Sequence, residues 1–281
     1  MATANSILSR VTYHAVYEPN VPDALRRARP GGFSGVQLAE TPGLCFEQLN
    51  RNQVAEIASI VRGEGLRLSL HASDDDASLF TSTPVLRQAV LDYYRRLLDF
   101  AWHAGARTIT LHMGHAPTWP TDEQPPRLRY QRDSTAYARI FNENFSAVLD
   151  CCQLPCRIVV ENLHLDDWHR ELLQPYINDR RAGICWDLPK SYRPDQTPDT
   201  QEIAWLRRNA HRIGQVHLHD RRDGKSHRVI GTGCVDFPDL LSFLPETGVE
   251  EYVIEVRPFE QAVESLENLR KILQPFQASI D

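Results

Sequence analysis

Eight short runs of β-branched or aliphatic residues recur along the chain, each closing on a polar or charged residue and most giving way to a helical stretch. They are 10–17 (RVTYHAVY), 35–40 (GVQLAE), 66–72 (LRLSLHA), 107–113 (RTITLHM), 157–163 (RIVVENL), 182–187 (AGICWD), 213–220 (IGQVHLHD) and 251–258 (EYVIEVRP). Between them the spacing predicts helices. The stretch 84–104 carries Val85, Leu86, Val90, Tyr93, Leu97, Leu98 and Ala101 on one face, with Thr83 as N-cap, Pro84 in the first turn and Gly105 as the stop. Further helices are expected at 49–62, 134–152, 200–211, 238–244 and 259–273.

Strands alternating with helices imply parallel strands joined by right-handed crossovers. Eight such units close into a (β/α)8 TIM barrel, which typically takes about 250 residues. The 281 residues fit one such domain spanning 1–281, and no Pro/Gly/Ser linker divides them. An open doubly wound sheet would want a glycine-rich phosphate turn early in the chain, and neither GxGxxG nor GxxxxGK[ST] occurs. The stretch 115–129 (HAPTWPTDEQPPRLR) reads as a long loop after the fourth strand.

Charge and cysteine usage narrow the class. The net charge is −6, from 31 basic and 37 acidic side chains, which disfavours a nucleic-acid binder held by phosphate contacts. No apolar run reaches the ~18 residues of a membrane span, and the N-terminal residues lack a secretory pattern, so a cytoplasmic protein is expected. Cys45, Cys151, Cys152, Cys156, Cys185 and Cys234 are then free thiols; the 151–156 trio has no second pair at zinc-site spacing and reads as buried packing.

In a barrel the chemistry sits at the C-terminal strand ends. Here those ends carry His71, His112, Glu161, Asp187, His217, His219 and Glu255, with Lys190 and Arg257 just beyond two of them. Glu161, Asp187, His217 and Glu255 come from four separate units. Three carboxylates gathered at one mouth repel one another and are costly to desolvate, and a divalent cation removes that cost. Three oxygen donors and one nitrogen suit Mn, Mg or Co, and also Zn. His217 and His219 share one strand face, so one reaches a cation near the axis and the other stands a step nearer the substrate.

The segments LSLHAS, ITLHMGH, IVVENLH, GICWDLPK, VHLHDRRDGKSHRVIGTGCVDF and VIEVRP resemble the xylose-isomerase-like barrel superfamily. That superfamily holds the sugar phosphate isomerase/epimerase group and the endonuclease IV type of abasic-site nuclease. The likeness runs from about the third strand to the end. Its most specific part is His217–Asp220 with His227, Gly231, Gly233, Val235, Asp236 and Phe237. The resemblance implies that Glu161, Asp187, His217 and Glu255 bind one divalent metal. It also implies that Glu161 and Glu255 are catalytic, moving a proton between the two faces of a sugar through a metal-stabilised enediolate.

The nuclease branch binds three zinc ions. His71, His112 and Glu161 match one of its sites, which implies a second ion there, while the third site is broken because Lys190 and Lys225 stand where ligands are needed and only His227 remains. A trinuclear nuclease is therefore not expected. Lys190 can instead supply positive charge to an anionic group of the substrate, as can Arg257. Trp119, Trp168 and Trp186 lie near strand ends, Trp186 as core. The lead reading is a metal-dependent isomerase or epimerase of a sugar-like small molecule, with His71, His112, Lys190, His219 and Arg257 contacting substrate. A dinuclear zinc hydrolase of phosphoesters or amides is the alternative. A dehydratase of a keto-inositol would use nearly the same residues, and a non-enzymatic barrel conflicts with the complete ligand set. A homo-oligomer is in keeping with the group.

Overall fold

The computed structural model describes residues 3–274 apart from 17, 19, 42, 43, 74, 75, 117–132, 154, 164, 246 and 247. Each apolar run supplies one barrel strand: β1 (Val11–Ala15), β2 (Gly35–Ala39), β3 (Arg67–His71), β4 (Thr108–Leu111), β5 (Arg157–Glu161), β6 (Ala182–Asp187), β7 (Ile213–Leu218) and, last in the chain, β10 (Glu251–Ile254). They pair in parallel and close in the order β1-β10-β7-β6-β5-β4-β3-β2. Between β7 and β10 lies a small antiparallel hairpin, β8 (Asp220–Arg222) and β9 (Lys225–Arg228).

The helices are α1 (Ala4–Leu8), α2 (Val21–Ala28), α3 (Arg51–Gly63), α4 (Pro84–Ala104), α5 (Ser134–Cys151), α6 (Asp167–Leu173), α7 (Thr200–Arg208), α8 (Phe237–Ser242) and α9 (Phe259–Leu273). α4 has the bounds its sequence predicts. Gly105 ends it at φ 84°, a left-handed conformation that glycine takes without strain. Thr83 is the N-cap residue there but makes no side-chain cap bond, which corrects the capping expectation. α7 ends three residues short of the expected stretch, where a 3-10 turn (Ala210–Arg212) takes over.

The strands are nearly all buried, as both sides of a barrel wall require. The helices lay apolar stripes against their outer side, as Val90, Tyr94, Leu97, Leu98 and Ala101 of α4 illustrate. Trp186 is fully buried, with its indole N–H on Ser191 Oγ at 2.9 Å. Trp168 stacks on Phe80 at 5.5 Å. Trp119 and most of the 115–129 stretch lie outside the described residues. The cysteines are free; Cys152 donates to the Cys156 carbonyl at 3.3 Å, and none of the 151–156 trio joins a ligand cluster among the described residues.

The barrel axis is polar below the mouth. Gln37 of β2, Thr110 of β4 and Gln215 of β7 meet there: Gln37 Nε2 donates to Thr110 Oγ1 and Gln215 Oε1, each at 3.0 Å, and Thr110 also donates to Gln215 Oε1. Gln215 in turn donates to Glu251 Oε2 at 3.1 Å. A bulge between Ile184 and Cys185 shifts the β6–β7 register, so that Cys185 faces Gln215 and Asp187 faces His217.

Burial pushes the Glu251 carboxyl up to about 7. An acid whose pKa is raised by folding binds its proton more tightly in the fold, so its stabilising effect is full below about pH 4.5 and is lost as the pH rises through 7. Glu251→Gln keeps an acceptor for Gln215 and removes the titration. Urea unfolding at pH 8 is expected to show the variant more stable than wild type by about 2–3 kcal/mol, with the two equal near pH 4.

Candidate active site

Strand periodicity sets a polar ring above the Gln37–Gln215 layer. Residues two apart share a face, so Gln215 and His217 both turn to the axis. His217, wholly buried, is the centre of the ring. Its Nε2 lies 3.1 Å from Gln215 Oε1, an acceptor, and 3.4 Å from Gln37 Nε2. Its Nδ1 is 3.3 Å from Glu161 Oε2 and 3.2 Å from Glu255 Oε1, yet forms no hydrogen bond of ordinary geometry. Glu161 stands at the end of β5, and Glu255 follows β10, held by its N–H on the Leu218 carbonyl at 3.0 Å.

His71 and His112 each place Nε2 3.3 Å from Glu161 Oε2, with their rings edge to face at 5.2 Å. The Nδ1 of His71 lies 2.9 Å from the Ala72 carbonyl and donates to it, which leaves Nε2 for Glu161. Asp187, also fully buried, accepts from Lys190 N–H through Oδ1 at 3.3 Å and from His219 Nε2 through Oδ2 at 3.2 Å. Asn162 clamps the same strand end: its Oδ1 accepts the Asp187 N–H at 2.6 Å and its Nδ2 donates to the Asp187 carbonyl at 3.2 Å. Behind it, Glu202 accepts from Asn162 and Ser191.

Electrostatics follow from this pairing. Burial alone would raise the Glu161 carboxyl, but the facing imidazoles, His217 first and then His112 and His71, hold it well below the usual carboxylate range. Asp187 is likewise raised by burial and brought down further by His219. The imidazoles of His217 and His219 show the converse: burial lowers them, and facing carboxylates raise them above the ordinary value. The site thus holds ionised carboxylates against imidazoles in a nearly dry setting, an arrangement in which a bound cation would displace imidazole protons.

The ring opens into a cavity of about 140 Å³. His71, His112, Glu161, Asp187, Glu255, Lys190 and Arg257 all line it, which brings most of the sequence-predicted residues to one place. His219 is placed otherwise. It is wholly buried off the cavity wall, and its Nδ1 accepts the His227 N–H at 3.0 Å. Its ring stacks on His227 at 4.3 Å, and its Nε2 faces Asp187 Oδ2 at 3.2 Å.

Two further histidines on the cavity wall have no role in the sequence reading. His14, at the end of the first run, is 5% exposed and has its Nδ1 3.3 Å from Glu255 Oε1. Its only signal is the strand-end position it shares with His71. His227, known there only as a motif residue, sits at φ 57°, a strained conformation for a non-glycine that clusters at functional sites. Its Nδ1 lies 3.0 Å from the Glu255 carbonyl.

The HLHD…GxG motif proves to be a loop anchor. The Asp220 carboxylate accepts backbone N–H groups from Arg221, Gly231, Gly233 and Val235 at 2.8, 2.9, 2.8 and 3.1 Å. A Cβ on Gly233 would run into the Arg221 carbonyl and this carboxylate. The motif thereby fixes the hairpin that carries His227.

The donor chemistry fits a divalent cation. His71, His217 and Glu255 can bring one ligand atom each within 4.8 Å of one another, as can His71, His112 and Glu161. A third such group is His219, His227 and Glu255. His217 Nδ1 is a buried ring nitrogen turned to carboxylate oxygens without a hydrogen bond, which is how a ligand nitrogen stands when its other nitrogen is fixed by an acceptor.

A family model described as xylose isomerase-like TIM barrel matches residues 25–272. No curated protein matches the chain. Among solved structures, a D-tagatose 3-epimerase-like protein is 15% identical with a TM-score of 0.76, covering 97% of this chain and 100% of its own. The 3-keto-D-glucoside 4-epimerase YcjR from E. coli is 17% identical, with a TM-score of 0.70 over 93% of this chain and 98% of its own. Endonuclease IV from Thermus thermophilus is 16% identical, with a TM-score of 0.69 over 95% of this chain and 99% of its own. At these identities the likeness is one of fold. No helix among the described residues is long and apolar enough to cross a membrane.

Proposed function

Since the chain belongs to the xylose isomerase-like TIM barrel family, we propose that it is a divalent-metal-dependent isomerase or epimerase of a sugar or sugar derivative. One observation carries the reading: Glu161 and Glu255, both on the wall of one cavity, reach the same His217 nitrogen from strands on either side of it. Two of the neighbours of this fold bear epimerase names, which agrees with it.

Glu161, Asp187, His217 and Glu255 would hold the cation. When bound, it would supply a Lewis acid that makes the C–H beside a carbonyl more acidic. Glu161 and Glu255 approach from β5 and β10, with β6 and β7 between them. A sugar lying between these carboxylates gives its α-proton to one and receives a proton from the other. Return on the opposite face inverts the carbon, and return to the neighbouring carbon exchanges aldose for ketose. His71 and His112 hydrogen-bond the substrate or Glu161, while Lys190 and Arg257 on the cavity wall face its oxygens.

The convergence of His71, His112 and Glu161 favours one second reading, a dinuclear hydrolase that uses those residues for another ion. Metal content separates the two. Plasma mass spectrometry of the purified protein is expected to find about one Mn, Mg, Co or Zn per chain, with no gain in turnover on adding a second equivalent. About two Zn per chain, both needed for activity, would favour the hydrolase.

A further inference from the structure

Beside the catalytic cavity, and sharing Lys190 with it, runs a larger cleft of about 510 Å³. We propose that this cleft is an anion subsite, built by Arg193 and Arg221 with Lys190 at its inner edge, which takes a phosphate or carboxylate group carried by the substrate. The proposal rests on the cavity being the reaction centre and adds the class of substrate: a sugar bearing an anionic group, long enough to reach past Lys190.

Arg221 is the main observation. It is only partly exposed, and its Nε is buried without a hydrogen-bond partner. No carboxylate pairs with it among the described residues. Its backbone is fixed on both sides, by the N–H on Asp220 Oδ1 at 2.8 Å and by the carbonyl that accepts Cys234 N–H at 2.9 Å. A buried guanidinium Nε without a partner costs free energy that a bound anion would offset. Its planar fork matches phosphate and carboxylate geometry.

The backbone of Arg193 is also fixed. Its N–H donates to the Thr197 carbonyl at 2.8 Å and its own carbonyl accepts Gln196 N–H at 2.9 Å, closing a tight turn on the cleft wall. The acidic residues of the cleft turn their oxygens mainly to other donors. Asp166 Oδ1 accepts the His169 N–H and faces His169 Nδ1 at 3.0 and 2.7 Å. Asp199 Oδ1 caps α7 through two N–H groups at 3.1 Å, and its other oxygen lies 3.6 Å from Arg193, too far for a strong pair. Burial pushes Glu202 up to about 7, and its Oε1 accepts from Asn162 and Ser191.

The test is calorimetric titration of the full-length protein with inorganic phosphate and, separately, with acetate. Saturable binding of one anion per chain is expected, weakened about tenfold or more in R221Q and in R193Q. It should be unchanged in E161Q, where an anion held by a cation at the centre would be lost. Arg193 has a side chain 52% exposed, so R193Q gives a reading even where R221Q fails to fold. Tighter binding of phosphate assigns the group as phosphoryl, and tighter binding of acetate as carboxylate. No saturable binding of either anion, equal binding in both arginine variants, or loss of binding in E161Q would each overturn the subsite. Full sugar turnover by E161Q would instead sink the reaction proposed for the cavity and leave the anion result standing.

Discussion

Glu161→Gln and Glu255→Gln are each expected to lower turnover by about 10²–10⁴-fold while the barrel stays folded. The amide keeps the shape of the carboxylate and one acceptor oxygen. It cannot take a proton, and it removes one of the two negative charges that face His217. Glu161 has the wider consequences, because His71, His112 and His217 all point at its Oε2. Without that charge the imidazole of His217, raised now by Glu255 and Glu161 together, falls back toward its ordinary value. Glu255→Gln leaves the His71 and His112 contacts in place and removes instead the charge that faces His14 and His217. Steady-state kinetics with thermal melting checks both variants. Near-normal kcat in either, with an unchanged melt, would remove the two-carboxylate mechanism.

Asp187→Asn is expected to weaken divalent-metal affinity by at least about 10²-fold, more than the loss of an outer-shell partner costs. The carboxylate is fully buried and turns one oxygen to Lys190 N–H and the other to His219 Nε2. The amide keeps only one acceptor, so its NH2 group must face one of those two donors. Metal titration followed by activity would show Kd raised and much of kcat recovered at saturating metal. An unchanged Kd would exclude Asp187 from the ligand set.

The barrel was legible because each strand is one continuous run of β-branched and aliphatic residues, and because Pro84 and Gly105 bracket the longest helix. The short elements were harder. α2 carries its own signals, an Asn20 cap accepting Asp23 N–H and a proline in the first turn, but its eight residues offer little periodicity. The hairpin of β8 and β9 turns at Asp223-Gly224, a dipeptide suited to tight hairpins, yet the seventh run reads on through His219 to Asp220 without a break.

Site residues were visible where a charged group closes an apolar run, as Glu161 and Asp187 do. Gln37, Thr110, Gln215 and Glu251 were not, because their interactions join β2, β4, β7 and β10 across the barrel and no spacing along the chain encodes them. His219 shows the limit of alternation: its face could be assigned, but its partner Asp187 comes from the neighbouring β6 and depends on the Ile184/Cys185 bulge.

The central claim is that this cavity moves a proton at the carbon beside a sugar carbonyl. Proton NMR of a panel of aldoses and ketoses, incubated in heavy water with the metal-loaded protein, tests it most directly. We expect deuterium at that carbon of the substrate that turns over, at a rate matched to product formation and lost in E161Q. Turnover of a sugar with no label at that carbon would contradict the account, as would cleavage of phosphoesters by a protein that exchanges no sugar proton.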